Sequence, residues 1–261
     1  MKKKQLFAGA AVLAMLSAGG VSAATTALAQ EYDEDGLSAK TNATVTFEAD
    51  EDTGTIVDPD DGDEDGGGID PVDPNENGAE LMISYASNLN FGTQSKQGTS
   101  WNALADKVYK TDAEGNHVVD EDGEKELKEV TPFVATKDSR GASRKGWSLT
   151  VKQDDAFKNG DDELKGAEIV LSGLRYVVEH GAPTPKAEAI TLSNEAKDVS
   201  NASTDEGIGA WSLALGELQG EEGSKTTNGV TLNVPSTSAK NTGDYSTTVT
   251  WELTADPSAA E

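Results

Sequence analysis

The chain has 261 residues, with 47 acidic against 21 basic side chains, a formal net charge of -26 and no cysteine. That charge excludes a nucleic-acid binder, because phosphates demand a basic footprint, and the missing cysteines exclude disulfides, thiol nucleophiles and thiolate metal sites. Aromatic residues make up only 5%, so a core must lean on Val, Leu, Ile and a few large rings.

Residues 1–29 read as a secretory signal peptide: Met1-Lys2-Lys3-Lys4 is the basic end, Leu6 to Leu16 the apolar run, and small residues follow. Both Ala23 and Ala29 satisfy the cleavage rule. The run is shorter than the roughly 20 residues a bilayer span needs, so no membrane span is expected in the mature form. Residues 30–49 form a tail in which Ala43 to Phe47 alternates as one short strand. An acidic linker, residues 50–78, comes next. From Glu31 to Glu80 there are 18 Asp or Glu against the single Lys40, and Pro59, Gly66–Gly68, Pro71 and Pro74 interrupt the run. Such a composition predicts a disordered or extended, self-repelling spacer. Asp61 to Gly66 begins like a calcium loop, but position twelve is Val72 where a glutamate is required, so no metal site is expected.

From residue 79 to 257 the chain reads as strands split by turn-rich loops: Leu81 to Tyr85, Phe133 to Thr136, Trp147 to Gln153, Glu168 to Leu174, Ile190 to Leu192, Trp211 to Leu215, Val230 to Val234 and Tyr245 to Thr254. This punctuation predicts an all-β class, a sandwich or barrel-like single domain, followed by a tail at 258–261. One helix is expected at Trp101 to Tyr109, capped by Ser100. Two long insertions, Asp112 to Glu129 and Ala196 to Gly207, read as loops, where binding usually resides.

Three of the four tryptophans share one pattern. Trp147, Leu149 and Val151 lie on one face of a period-two strand. Trp211, Leu213 and Leu215 repeat it, and so do Tyr245, Thr247, Val249, Trp251 and Leu253. Two Trp-x-Leu copies about a hundred residues apart, with Asp138-Ser139-Arg140-Gly141 leading into the first and Ala255-Asp256-Pro257 closing the second, resemble the WxL domain of surface proteins from low-GC Gram-positive bacteria. Leu81 to Gly92 is similar to that family's opening strand and Phe-Gly turn. The resemblance covers roughly residues 78 to 257. It implies a module that associates with peptidoglycan without a covalent bond, commonly alongside a WxL-interacting membrane-anchored protein. The end of the chain, Asp256 to Glu261, carries no sorting pentapeptide, apolar tail or basic stop, which fits non-covalent retention.

No catalytic residue is expected. The two histidines, His117 and His180, sit in turn-like neighbourhoods, and with 47 acids a chance pair of carboxylates says nothing about glycosidase chemistry. No Gly-x-Ser-x-Gly elbow, His-Glu-x-x-His or phosphate-cradling loop occurs, and no cofactor is implied. The candidate binding residues for the wall or a partner are Trp147, Leu149, Trp251 and Leu253. For Trp147 and Trp251, core and contact roles stand about even; for Trp211 core is favoured. Arg140, Arg144 and Lys145 join the candidates because residues 137–152 also hold Lys137 and Lys152 against one acid, Asp138. Such a patch would meet polyanionic wall polymer through contacts that salt weakens. The alternative to wall attachment is a secreted adhesin or ligand-binding β module recognising a host protein or glycan through the long insertions.

Overall fold

The computed structural model describes residues 31–32, 37, 39–40, 43–50, 52–60, 68–178 and 184–257. The signal peptide, the Asp61–Gly66 run, His180 and the tail at 258–261 lie outside these residues. Two compact units are present, Met1–Glu48 and Ala49–Glu261. In the first, β1 (Glu31–Tyr32) pairs antiparallel with β2 (Ala39–Lys40). Residues 43–48 carry no strand, and Val45 and Phe47 are exposed: alternation alone did not make a strand where no apolar surface covers one face.

The second unit carries β3 (Ile69–Pro71), β4 (Leu81–Ala86), β5 (Ser100–Leu104), β6 (Asp106–Lys110), β7 (Leu127–Val130), β8 (Phe133–Asp138) and β9 (Trp147–Gln153). There follow β10 (Lys158–Asn159), β11 (Asp162–Glu163), β12 (Glu168–Leu171), β13 (Leu174–Val178), β14 (Lys186–Ala187) and β15 (Ile190–Thr191). The remaining strands are β16 (Lys197–Ala202), β17 (Gly209–Leu215), β18 (Leu218–Gln219), β19 (Thr226–Asn233) and β20 (Val249–Ala255). The all-β expectation holds, with sheets disposed in a barrel-like ring. Every strand pairing is antiparallel.

Three sheets share the main core. Their orders are β13-β17-β8-β4, β14-β16-β9-β20, and β15-β12-β19-β18 with β5 also on β19. Trp147, Leu149 and Val151 of β9, Leu213 and Leu215 of β17, Ile169 and Leu171 of β12, and Val230 and Leu232 of β19 meet there. Because a strand's side chains alternate, β8 sends Val134 into this core and Phe133 and Ala135 to its other face. On that face they join Tyr85, Ile69, Val108 and Val130 in a second core under the β3-β6-β7 sheet. With both faces covered, all six residues of β8 are buried.

Three elements differ from expectation. Trp101 to Tyr109 is no helix: Ser100–Leu104 pairs with β19, and Asp106–Lys110 with β3 and β7. Trp101 and Val108 merely fall at helical spacing, while unpaired neighbouring edges claim the backbone. The insertion at 196–207 is largely β16, a central strand between β14 and β9. The insertion at 112–129 continues the β6-β7 hairpin through bridges Thr111↔His117 and Val119↔Lys125, and His117 Nε2 lies 2.7 Å from Asp70 Oδ2.

The described parts of the acidic linker are extended, yet they are not a free spacer. Asp50 and residues 52–60 run as a strap over the β13-β17-β8-β4 sheet. Val57 is wholly buried, and its carbonyl accepts from Ser212 Oγ at 2.5 Å. Each described acid of the strap has a basic or N–H partner: Asp50 and Asp52 on Lys137 Nζ at 2.9 and 2.6 Å, Asp58 on Lys128 at 2.7 Å, Asp60 on the Thr131 amide and Arg175. Charge that repels itself in isolation is thereby neutralised locally, a pairing that composition averages away.

Candidate functional site

The two Trp-x-Leu motifs occupy adjacent antiparallel strands. In the β9-β20 register, Trp147 stands opposite Ala255, Leu149 opposite Leu253, and Val151 opposite Trp251. All five large side chains therefore face the main core side of one sheet. On the other flank of β9, Ala202 of β16 is the partner of Trp147. Small residues on both sides leave room for the indole.

The four tryptophans divide into two pairs. Trp147 and Trp211 are each 1% exposed. Their indole N–H groups donate to the carbonyls of Gly207 at 3.3 Å and Ile208 at 3.0 Å. Tyr176 stands between them edge-on, 6.3 Å from one ring and 5.8 Å from the other, and its hydroxyl donates to Ser200 Oγ at 2.8 Å. Gly207 has φ +66° and approaches so closely that a β-carbon would sit 2.7 Å from Trp147 Nε1, so only glycine closes that pocket. Trp147 is thus core in this structure, and so is fully buried Leu149. Trp101 and Trp251 are only partly buried, and among the described residues neither indole N–H has a hydrogen-bond partner.

These two rings border a cleft of about 900 Å³. Its floor is Phe91, Phe157, Leu232 and Val234, with Phe91 and Phe157 edge-to-face at 6.3 Å. One wall is the loop from Asn88 to Lys96, the other the segment from Lys240 to Val249 that includes Tyr245. That second segment is held down by Asn241 on Asp162 at 2.8 Å and by the Lys158–Ser246 bridge. Leu253, partly buried, packs on the core beside it. Trp101 and the Asn88–Lys96 loop escape sequence reasoning; the helical spacing hid Trp101, and the one available signal was the run Asn88-Leu89-Asn90-Phe91, which puts two amides beside apolar residues.

The basic residues do not gather into one open surface. Lys137 is 5% exposed; burial alone would lower its pKa, but its bonds to Asp52 and Asp50 prevail and hold it raised. Arg140 binds the fully buried Asp138 carboxylate at 2.9 Å, reaches Asp256 at 3.0 Å, and donates to the Gly146 carbonyl at 2.8 Å. Its charge is fixed by Asp138 first. Asp256 also accepts from the Lys145 amide at 2.7 Å, which holds its carboxyl below the usual range. Lys152 pairs with Asp154 at 3.0 Å, Arg144 folds back on the carbonyls of Arg140 and Gly141, and Lys145 is exposed. Arg140 and Asp256 act as a clasp between the approach to the first motif and the exit of the second.

Among the described residues no group of acids and histidines is placed to hold a metal ion, and no helix is long and apolar enough to cross a membrane. Fold and site define a β module with two paired tryptophan strands beside an aromatic cleft. The family described as WxL domain surface cell wall-binding matches residues 34–257, and the chain belongs to it. It is therefore a surface protein whose domain binds the cell wall. No curated protein and no solved structure matches the chain significantly.

Proposed function

We propose that the chain is exported and held at peptidoglycan without a covalent bond, in a complex that includes a membrane-anchored WxL-interacting protein. On this reading it acts by binding alone. The observation that carries this reading is the family match across residues 34–257, with both motifs joined in one sheet. Secretion is supported by the basic and apolar start of the sequence. Purified chain mixed with washed heterologous walls should sediment with them and be released by denaturant without wall digestion. Chain that stays in the supernatant at every wall concentration refutes the reading.

A further inference from the structure

Resting on that reading, we propose that the cleft between Trp101 and Trp251 is the binding site, and that its ligand is the uncharged, N-acetylated sugar backbone of the wall rather than its anionic polymers or its peptides. Three independent features of the cleft converge on this chemistry.

The first is charge. In a chain of net -26, the charged residues lining the cleft are Lys96, Lys240 and Asp244. The cleft therefore escapes the acidity of the rest of the molecule, and a neutral polymer enters it without the repulsion that teichoic-type phosphates meet over the surrounding surface. It also lacks the cluster of cations needed to grip a polyanion.

The second is the division of the tryptophans. A buried indole needs a partner for its N–H, and Trp147 and Trp211 have one. Trp101 and Trp251, whose indole N–H groups have no such partner among the described residues, line the cleft with their rings. Flat sugar rings offer apolar C–H faces on which such indoles stack. Trp101 is seated firmly: a β-carbon on Gly98 would lie 2.8 Å from its ring, so the loop backbone braces it.

The third is the mixture of floor and wall. Phe91 and Phe157 supply an apolar base suited to an acetamido methyl group, while the Asn88 amide and the Gln94 Oε1, whose amide nitrogen donates to the Phe91 carbonyl, match the acetamido N–H and C=O. A cleft of about 900 Å³ is within the ~300–1,000 Å³ range of small-molecule sites, which combine an apolar lining with a few polar groups. The other occupant with this shape is an extended protein strand added to the free edge of β20, which ends its sheet.

The test uses the full chain and chitotetraose, a neutral β-1,4-linked N-acetylglucosamine tetramer, followed by tryptophan fluorescence and calorimetry. Saturable binding is expected, weakened at least tenfold by Trp101→Ala and by Asn88→Ala, each assayed well below its own melting temperature. Trp147→Phe, at a buried ring outside the cleft, should leave the affinity within twofold in its folded fraction. Wall sedimentation should fall with the same two cleft variants. Chitotetraose binding that ignores both substitutions overturns the site. An inert chitotetraose, with walls still sedimenting the chain, overturns the ligand and leaves wall attachment standing. If that sedimentation disappears when the walls are first stripped of protein, the strand occupant replaces the sugar. Binding to chitotetraose without sedimentation by walls supports the cleft and refutes the wall reading instead.

Discussion

Leu149 and Leu253, the leucines of the two motifs, stand directly opposite each other on neighbouring antiparallel strands. The pair closes a loop of about a hundred residues, and Arg140 closes it again by reaching Asp256 at 3.0 Å. Two tripeptides far apart in sequence are thus one structural device, and neither half completes the sheet without the other.

Leu149 is wholly buried whereas Leu253 is partly exposed, so Leu149→Ala should cost about 2–5 kcal/mol and Leu253→Ala clearly less. Because they touch, the double variant should not be additive. Urea melts of the four proteins measure the coupling, and strict additivity would contradict the pairing.

Trp147→Phe vacates part of a tight pocket and leaves the Gly207 carbonyl unpaired, with an expected loss of about 1–3 kcal/mol. Trp251→Phe, at a half-buried ring with no hydrogen bond to lose, should melt within a few degrees of the parent. Equal destabilisation of both would show that the division between core and cleft tryptophans is wrong.

Removing Arg140 strands the buried Asp138 carboxylate, so Arg140→Gln should cost about 3–5 kcal/mol. Asp256→Asn keeps the left-handed backbone that φ 46° requires, since Asn tolerates it. With Asp256 44% exposed, solvent screens its ion pair, and Asp256→Asn should cost far less than Arg140→Gln. Thermal melts that rank the two the other way would remove Arg140 from its structural role.

Lys137 and, after it, Ser139 hold the Asp50 carboxyl down to about 2. A depressed carboxylate stabilises above its unfolded pKa and loses that contribution as pH falls through the folded value. The strap's hold on the sheet should therefore be complete at pH 5 and weaken between about 4 and 2. Hydrogen exchange of residues 52–58 should accelerate over that window before the β9 amides do; simultaneous loss would mean the strap has no separate acid response.

Because the run from Lys137 to Lys152 is mostly paired with acids, wall attachment should not depend on an open cationic patch. Raising salt from about 10 to 150 mM shortens the screening length from roughly 30 to 8 Å, relieving repulsion between the acidic surface and anionic wall polymer. Sedimentation should hold or strengthen. A steep loss with salt would restore the basic patch of Arg140, Arg144 and Lys145.

Alternation made most strands legible, β9 and β20 above all, because a half-buried strand writes its burial into every second residue. It failed at β16. There the register shifts between Asp198 and Ser200, so Val199 and Ser200 are buried in succession and the period-two signal vanishes although the backbone pairs on both sides. The linker misled for the opposite reason: its acids find Lys128, Lys137 and Arg175, partners that lie remote in sequence.

Local pattern was enough to decide that this protein is all-β, acidic and built around two tryptophan strands, since those properties follow from side-chain periodicity and charge that each segment carries alone. Which tryptophan is core and which borders a cleft was decided only by tertiary structure. Trp147 and Trp251 share the Trp-x-Leu spacing, and what separates them is what lies above each ring: the Gly207 backbone over one, the open cleft beside the other.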